Sequence, residues 1–118
     1  MKVAVIGSRK LKIDLSFYIP KNATEIITGG AYGIDKIAEV YADTHQIKKT
    51  VLKPEYELYG KGAPLKRNDL IIEYADYIIA IWDGRSRGTK YVIDHSVAQG
   101  KPVKVIKIEK KEMPFEEN

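Results

Sequence analysis

Five short apolar runs recur along the chain, and polar or helix-like segments separate them. Most of these runs are rich in Val and Ile, which is typical of strands. We therefore predict five strands, at Lys2–Ile6, Glu25–Thr28, Thr50–Leu52, Tyr77–Trp82 and Val103–Ile108.

The segments between these runs predict helices. The clearest follows the second run, because its apolar residues have the i, i+3, i+4, i+7, i+8 spacing of one buried helical face: Ile34, Ile37, Ala38, Tyr41 and Ala42. We predict three more helices: a short one at Ile13–Tyr18, one starting at Pro64, and one from about Thr89 that Gly100 ends. For the last two, the expected inward residues are Leu65, Ile72, Ala75, Ile93 and Val97.

Strands that alternate with helices pair in parallel through right-handed crossovers. The sequence therefore predicts an α/β fold, a Rossmann-like three-layer sandwich with a five-stranded parallel sheet in the order 3-2-1-4-5. In such a sheet ligands bind beyond the carboxyl ends of the strands, where the winding reverses.

The candidate site follows from the turns after the first, second and fourth strands. Each contains glycine and leads towards a predicted helix, so backbone N–H groups and helix N-termini converge on one edge of the sheet and favour an anion. The turns supply these candidate ligand-binding residues: Gly7, Ser8, Arg9, Gly29, Gly30, Gly33, Gly84, Ser86, Gly88 and Thr89. Arg67, Asn68 and Trp82 complete the set, as a phosphate contact, its neighbour and a wall for a base or ribose.

Each candidate also has a structural explanation. The glycines could serve tight strand-to-helix packing, Arg67 could be solvated, and Trp82 could fill the core. The hydroxyl residues could cap helices, which is compatible with a phosphate at the same amides. Asp35 is expected to stabilise the first turn of its helix, and Asp83 to stabilise a turn.

Composition limits the alternatives. The 118 residues, 44% of them hydrophobic, predict a single nucleotide-binding domain over 1–108 and a charged tail over 109–118. The chain has no cysteine, no long apolar run and no charged leader, so we expect a cytoplasmic protein without a membrane span. A net charge of +4 is modest for a nucleic-acid binder, and His45 and His95 lack metal-ligand spacing, so we expect neither nucleic acid nor metal as a partner.

Four motifs in order resemble those of the SLOG superfamily, nearest to its YspA/YpsA-related branch and more distantly to DprA-like and LOG-type proteins. They are Gly7-Ser8-Arg9, Gly29-Gly30-Ala31-Tyr32-Gly33-Ile34-Asp35, Lys61-Gly62-Ala63-Pro64-Leu65-Lys66-Arg67-Asn68 and Trp82-Asp83-Gly84-Arg85-Ser86-Arg87-Gly88-Thr89. The resemblance implies a Rossmann-like domain that binds a nucleotide or nucleotide-derived ligand, as a homodimer or higher even oligomer. For such an interface the candidate residues are Ile71, Tyr91 and Val92.

The function expected from these features is binding or sensing of a nucleotide-like ligand. LOG-type enzymes carry a glutamate three residues after the motif threonine, but this chain has Val92 there, which argues against LOG-type hydrolysis. A small hydrolase or transferase remains the alternative, with Asp83, Asp94 or Asp35 as its carboxylate. Single-stranded nucleic-acid binding is a weaker alternative, because no platform of stacking aromatic residues is evident.

Overall fold

A five-stranded parallel sheet forms the centre of the protein in the computed structural model, which describes residues 1–109. The strands are β1 (Lys2–Gly7), β2 (Glu25–Thr28), β3 (Lys48–Val51), β4 (Tyr77–Trp82) and β5 (Val103–Lys107). Their order is β3-β2-β1-β4-β5, and every neighbouring pair is parallel. The predicted fold class, sheet composition and strand order are confirmed.

The helices are α1 (Ile34–Thr44), α2 (Tyr56–Tyr59), α3 (Ala63–Tyr74) and α4 (Arg87–Ala98). Two predictions were wrong in detail. The short helix expected at Ile13–Tyr18 is a 3₁₀ turn at Leu15–Phe17. The segment 54–62, between the third predicted strand and the helix that starts near Pro64, was expected from the sequence to be a loop, but it holds α2 and a second 3₁₀ turn at Gly60–Gly62.

The core divides into two hydrophobic clusters because successive strand residues point to opposite faces of the sheet. In β2, Ile26 packs in the cluster that includes Ile34 of α1, whereas Ile27 packs with Ile71 and Ile72 of α3. The predicted inward face of α1 is confirmed, since all five of its residues belong to the first cluster or pack against it.

The inward faces of α3 and α4 were predicted correctly in part. As predicted, Ile72 and Ala75 are buried and Ile93 packs against the second cluster, whereas Leu65 is 46% exposed and Val97 is 63% exposed. Ile71 and Val92, which were expected to lie outside these faces, are fully buried as well. Both members of the adjacent pairs Ile71-Ile72 and Val92-Ile93 thus contact the core, which helical periodicity alone does not predict.

The burial of Ile71 and Val92 corrects the expected oligomer interface. Ile71 and Val92 belong to the core and cannot form an exposed contact surface in this fold. Tyr91 is half-buried and donates its hydroxyl to Asp69 at 2.8 Å, which joins α4 to α3 within one chain. Of the predicted tail, 110–118 lie outside the described residues.

The sheet register places the turns after β1 and β4 side by side. Gly7 is paired with Ile81, and the amide of Ser8 donates to the carbonyl of Ile81 at 3.0 Å. Within 1–109, none of the helices is long and apolar enough to span a membrane.

Candidate ligand-binding site

One large cavity opens at the carboxyl edge of the sheet, where a doubly wound fold places its ligand. Its volume is about 1420 Å³, which exceeds the ~300–1,000 Å³ typical of small-molecule sites. Ten of the thirteen predicted ligand-binding residues line it: Gly7, Ser8, Arg9, Gly29, Arg67, Asn68, Gly84, Ser86, Gly88 and Thr89. A nucleotide-sized ligand fits within this space.

The other three predicted residues do not line the cavity, and each has a structural role. The Trp82 ring nitrogen donates to the carbonyl of Ser86 at 3.0 Å, which secures the turn after β4. Gly30 and Gly33 have φ of +78° and +76°. A side chain on Gly33 would also overlap the carbonyl of Arg9.

Packing accounts for two further glycines that do line the cavity. A Cβ on Gly7 would lie 2.6 Å from the side chain of Ile34, and one on Gly29 would lie 2.5 Å from the guanidinium of Arg67. These glycines let α1 and Arg67 lie directly against the strand ends. Gly88 differs, because a Cβ there would meet nothing within 4 Å.

Asp35 occupies the turn that sequence analysis assigned to a ligand anion. Its Oδ2 accepts hydrogen bonds from the amides of Gly29 at 3.0 Å and Ala31 at 3.2 Å, and the side chain is almost fully buried at the first turn of α1. Two amides of the turn predicted to hold phosphate after β2, those of Gly29 and Ala31, are therefore already paired with a side chain of the protein.

Burial also changes the acidity of this carboxyl group. Desolvation raises the pKa of Asp35 from 3.8 to about 6, although the amides of Ala31 and Gly29 and the charge of Arg67 oppose the rise. Asp35 thus titrates close to neutral pH inside the cavity.

Arg67 joins the ends of β2 and β3 to α3. Its Nη1 donates to the carbonyls of Gly29 at 2.7 Å and Leu52 at 3.3 Å, and its Nε donates to Oδ1 of Asn68 at 2.8 Å. Burial lowers the pKa of Arg67, while the negative charge of Asp35 opposes that shift. The guanidinium keeps its Nη2 free of any hydrogen bond to residues 1–109, so it holds the strand ends and still presents a donor to the cavity.

The turn after β4 prepares the N-terminus of α4. Oδ1 of Asp83 accepts from the amides of Arg85 and Ser86, both at 2.8 Å, and Oγ of Ser86 caps the helix by accepting from Thr89. Partial burial opposes ionisation of Asp83, but these amides and the hydroxyl of Ser8 outweigh it and lower its pKa. Asp83 is fixed as a turn-forming carboxylate.

Two amides of this helix end stay without an acceptor among residues 1–109, namely those of Arg87 and Gly88. They are the first two residues of α4, where backbone N–H groups have no partner within the helix. The buried hydroxyl of Ser8, just after β1, accepts from the amide of Asp83 at 3.2 Å and also helps to lower the pKa of the Asp83 carboxyl group, so it joins the turns after β1 and β4.

The cavity wall carries more positive than negative charge. Five cationic residues line it, against three acidic ones: Arg9, Lys10, Arg67, Arg85 and Lys107 against Asp35, Asp83 and Glu109. Lys107 was not among the predicted residues, although it ends β5 at this same edge and the predicted strand order already placed that strand beside β4. Asp94, a predicted catalytic candidate, lies on the surface instead and pairs with Lys90.

The two histidines, which could have been metal ligands, make contacts within their own helices. Nδ1 of His45 and of His95 donates to the carbonyl four residues earlier, and each ring stacks on the tyrosine there. Residues 1–109 contain no group of three or more metal-ligating side chains.

The comparisons add nothing to this geometry: no protein-family model, curated protein or solved structure matches the chain.

Proposed function

We propose that the protein binds a nucleotide-like small molecule in the cavity at the carboxyl edge of the sheet, with a phosphate group on the first turn of α4. The observation that carries this proposal is the pair of amides at Arg87 and Gly88, which lack an acceptor within 1–109 beside a wall of net positive charge. Such a helix end binds phosphate through its N–H groups and its dipole.

A comparison of the turns after β2 and β4 favours the N-terminus of α4 as the phosphate position. After β2, the carboxylate of Asp35 already accepts from two of the turn amides and would repel a second anion. After β4, Gly88 leaves open space in front of the helix end. The resemblance to the SLOG superfamily supports the same class of ligand.

A charge introduced at Gly88 tests this placement. Glutamate in the first turn favours the helix, so Gly88→Glu should fold at least as stably as the parent protein. It should nevertheless weaken binding of AMP and of pyrophosphate by about 10- to 100-fold, because the new carboxylate lies beside the phosphate. Isothermal titration calorimetry at low salt measures the affinity, and urea denaturation measures the stability.

Val97→Glu is the matched control. It adds the same charge to the same helix, but at an exposed position that does not line the cavity, and should leave both affinities unchanged. Equal affinities for the parent protein and Gly88→Glu would place the phosphate elsewhere.

Hydrolysis or group transfer on a nucleotide is the second candidate function, and the environment of Asp35 favours it. A buried carboxyl group in a cavity with a pKa of about 6 can donate or accept a proton near neutral pH. At the position of the LOG-type glutamate, Val92 lines the cavity with an apolar side chain, so Asp35 is the carboxylate that could replace that glutamate.

Incubation with nucleoside monophosphates, ADP-ribose and NAD, followed by chromatography, separates the two functions. A binding protein returns every compound intact. Release of free base or sugar phosphate that Asp35→Asn abolishes and Asp94→Asn does not would establish the enzyme instead.

A further inference from the structure

A second polar region of the cavity lies between the ends of β1 and β2, away from the proposed phosphate position. It contains Asp35 and Asn68, which are 4% and 7% exposed and both line the cavity. Arg67 connects the two residues, because it donates to Oδ1 of Asn68 and to the carbonyl of Gly29, whose amide donates to Asp35.

Each of these two side chains has one polar atom that can still form a hydrogen bond to a ligand. Nδ2 of Asn68 has no hydrogen-bond partner within 1–109, and Oδ1 of Asp35 accepts neither of the bonds from Gly29 and Ala31, although the amide of Gly7 also lies near this carboxyl group. Neither atom is among the fully enclosed unpaired atoms. Both atoms therefore keep accessible surface in a side chain that is otherwise buried, and the cavity is the space that these side chains line. The region offers one acceptor that cannot donate and one donor that cannot accept.

This combination selects the ligand group. A phosphate lacks protons for Asp35 at neutral pH and would be repelled, whereas an apolar group would leave both atoms unpaired. Hydroxyl groups donate and accept, so a neighbouring pair of them can satisfy Asp35 and Asn68 together.

The distance to α4 narrows the ligand further. Asp35 lies between the ends of β1 and β2, and α4 begins beyond β4 on the other side of β1. With strands ~4.8 Å apart, one and a half strand spacings put Asp35 about 7 Å from the start of α4, as measured along the sheet. That separation suits a 5′-phosphate and the 2′,3′-hydroxyls of its own ribose, and it is too short for the far edge of the base.

We propose that Asp35 and Asn68 bind the ribose diol of the ligand, so that the protein selects ribonucleotides over deoxyribonucleotides. The inference rests on the proposed phosphate position at α4. It adds the sugar to that site and assigns Asp35 the role of a specificity-determining acceptor.

The test compares the four ribonucleoside 5′-monophosphates with their 2′-deoxy and 3′-deoxy counterparts by calorimetry at pH 7.5. Because a hydrogen bond to a charged acceptor is at stake, the parent protein should bind ribonucleotides about 10- to 100-fold more tightly. Asp35→Asn presents an amide of the same shape and should lose most of this preference. Asp94→Asn removes an exposed carboxylate outside the cavity and should retain the full preference.

Three outcomes would contradict the inference. Equal binding of ribo- and deoxyribonucleotides by the parent protein overturns it and leaves the phosphate position intact. A preference that persists in Asp35→Asn removes Asp35 from the sugar site. Failure of every nucleotide and of pyrophosphate to bind overturns the proposed function together with this inference.

Discussion

Asp35→Asn is expected to stabilise the protein at pH 7.5 by up to about 3 kcal/mol, from a pKa shift of roughly two units at 1.36 kcal/mol each. Burial raises the pKa of Asp35 from 3.8 to about 6, so between these values the folded state binds a proton that the unfolded chain releases. The stabilisation is complete below pH 3.8 and is lost as the pH rises through 6. Asparagine cannot ionise, and its oxygen can still accept from the amides of Gly29 and Ala31.

Urea denaturation of both proteins between pH 4.5 and 7.5 measures this effect. The stability difference should grow with pH and level off above about pH 7, while other carboxyl groups titrate in both proteins and cancel. The exposed Asp94→Asn serves as the control and should follow the parent protein. A less stable Asp35→Asn at pH 7.5 would show that the ionised carboxylate stabilises the fold.

The two expectations for Asp35→Asn have opposite signs: higher stability and weaker selection of the sugar. If the carboxylate served only to stabilise the fold, its replacement by a neutral side chain would make the protein less stable. Greater stability with poorer binding is the pattern expected of a residue that serves a site.

Gly33→Ala is expected to destabilise the protein by about 3 kcal/mol or more, as two costs combine. Gly33 has φ +76° and ψ −124°, a conformation that favours glycine, and its Cβ would overlap the carbonyl of Arg9. The close approach of Gly33 to the carbonyl of Arg9 places the turn after β1 against the start of α1. A side chain at residue 33 should push this turn away and so displace Arg9 from the cavity.

Gly60→Ala separates these two costs. Gly60 has a similar conformation, with φ +57° and ψ −133°, but a Cβ there meets nothing within 4 Å. Its replacement should cost only about 1–2 kcal/mol of backbone strain. Equal losses for the two variants in urea denaturation would show that the contact with Arg9 is unimportant.

The sequence predicted the sheet well because β1, β2 and β4 are short, mostly buried and apolar, and end at turns that contain glycine, while the rules of connection leave few strand orders. It predicted α1 because Ile34, Ala38 and Ala42 have the spacing of one buried helical face. For α3 and α4 it predicted Ile72, Ala75 and Ile93 correctly but missed Ile71 and Val92, because packing against the sheet buries both members of the adjacent apolar pairs.

The sequence predicted where the cavity lies but not how its lining residues are arranged. Turns at the ends of parallel strands must share one edge, so their convergence followed from topology. The pairing of Asp35 with the amides of Gly29 and Ala31, and of Arg67 with the carbonyls of Gly29 and Leu52, depends on three-dimensional contacts that spacing does not reveal. Because of these contacts, the phosphate is proposed to bind at one turn, the one before α4, and not at all three predicted turns.

The most direct measurement of the central claim is a titration of ¹⁵N-labelled protein with AMP and with pyrophosphate, followed by amide chemical shifts. The account predicts that both probes shift the amides of Arg87 and Gly88 most, and that AMP alone also shifts those of Gly29 and Ala31 around Asp35. Largest shifts at the opposite edge of the sheet, or none at saturating probe, would contradict it.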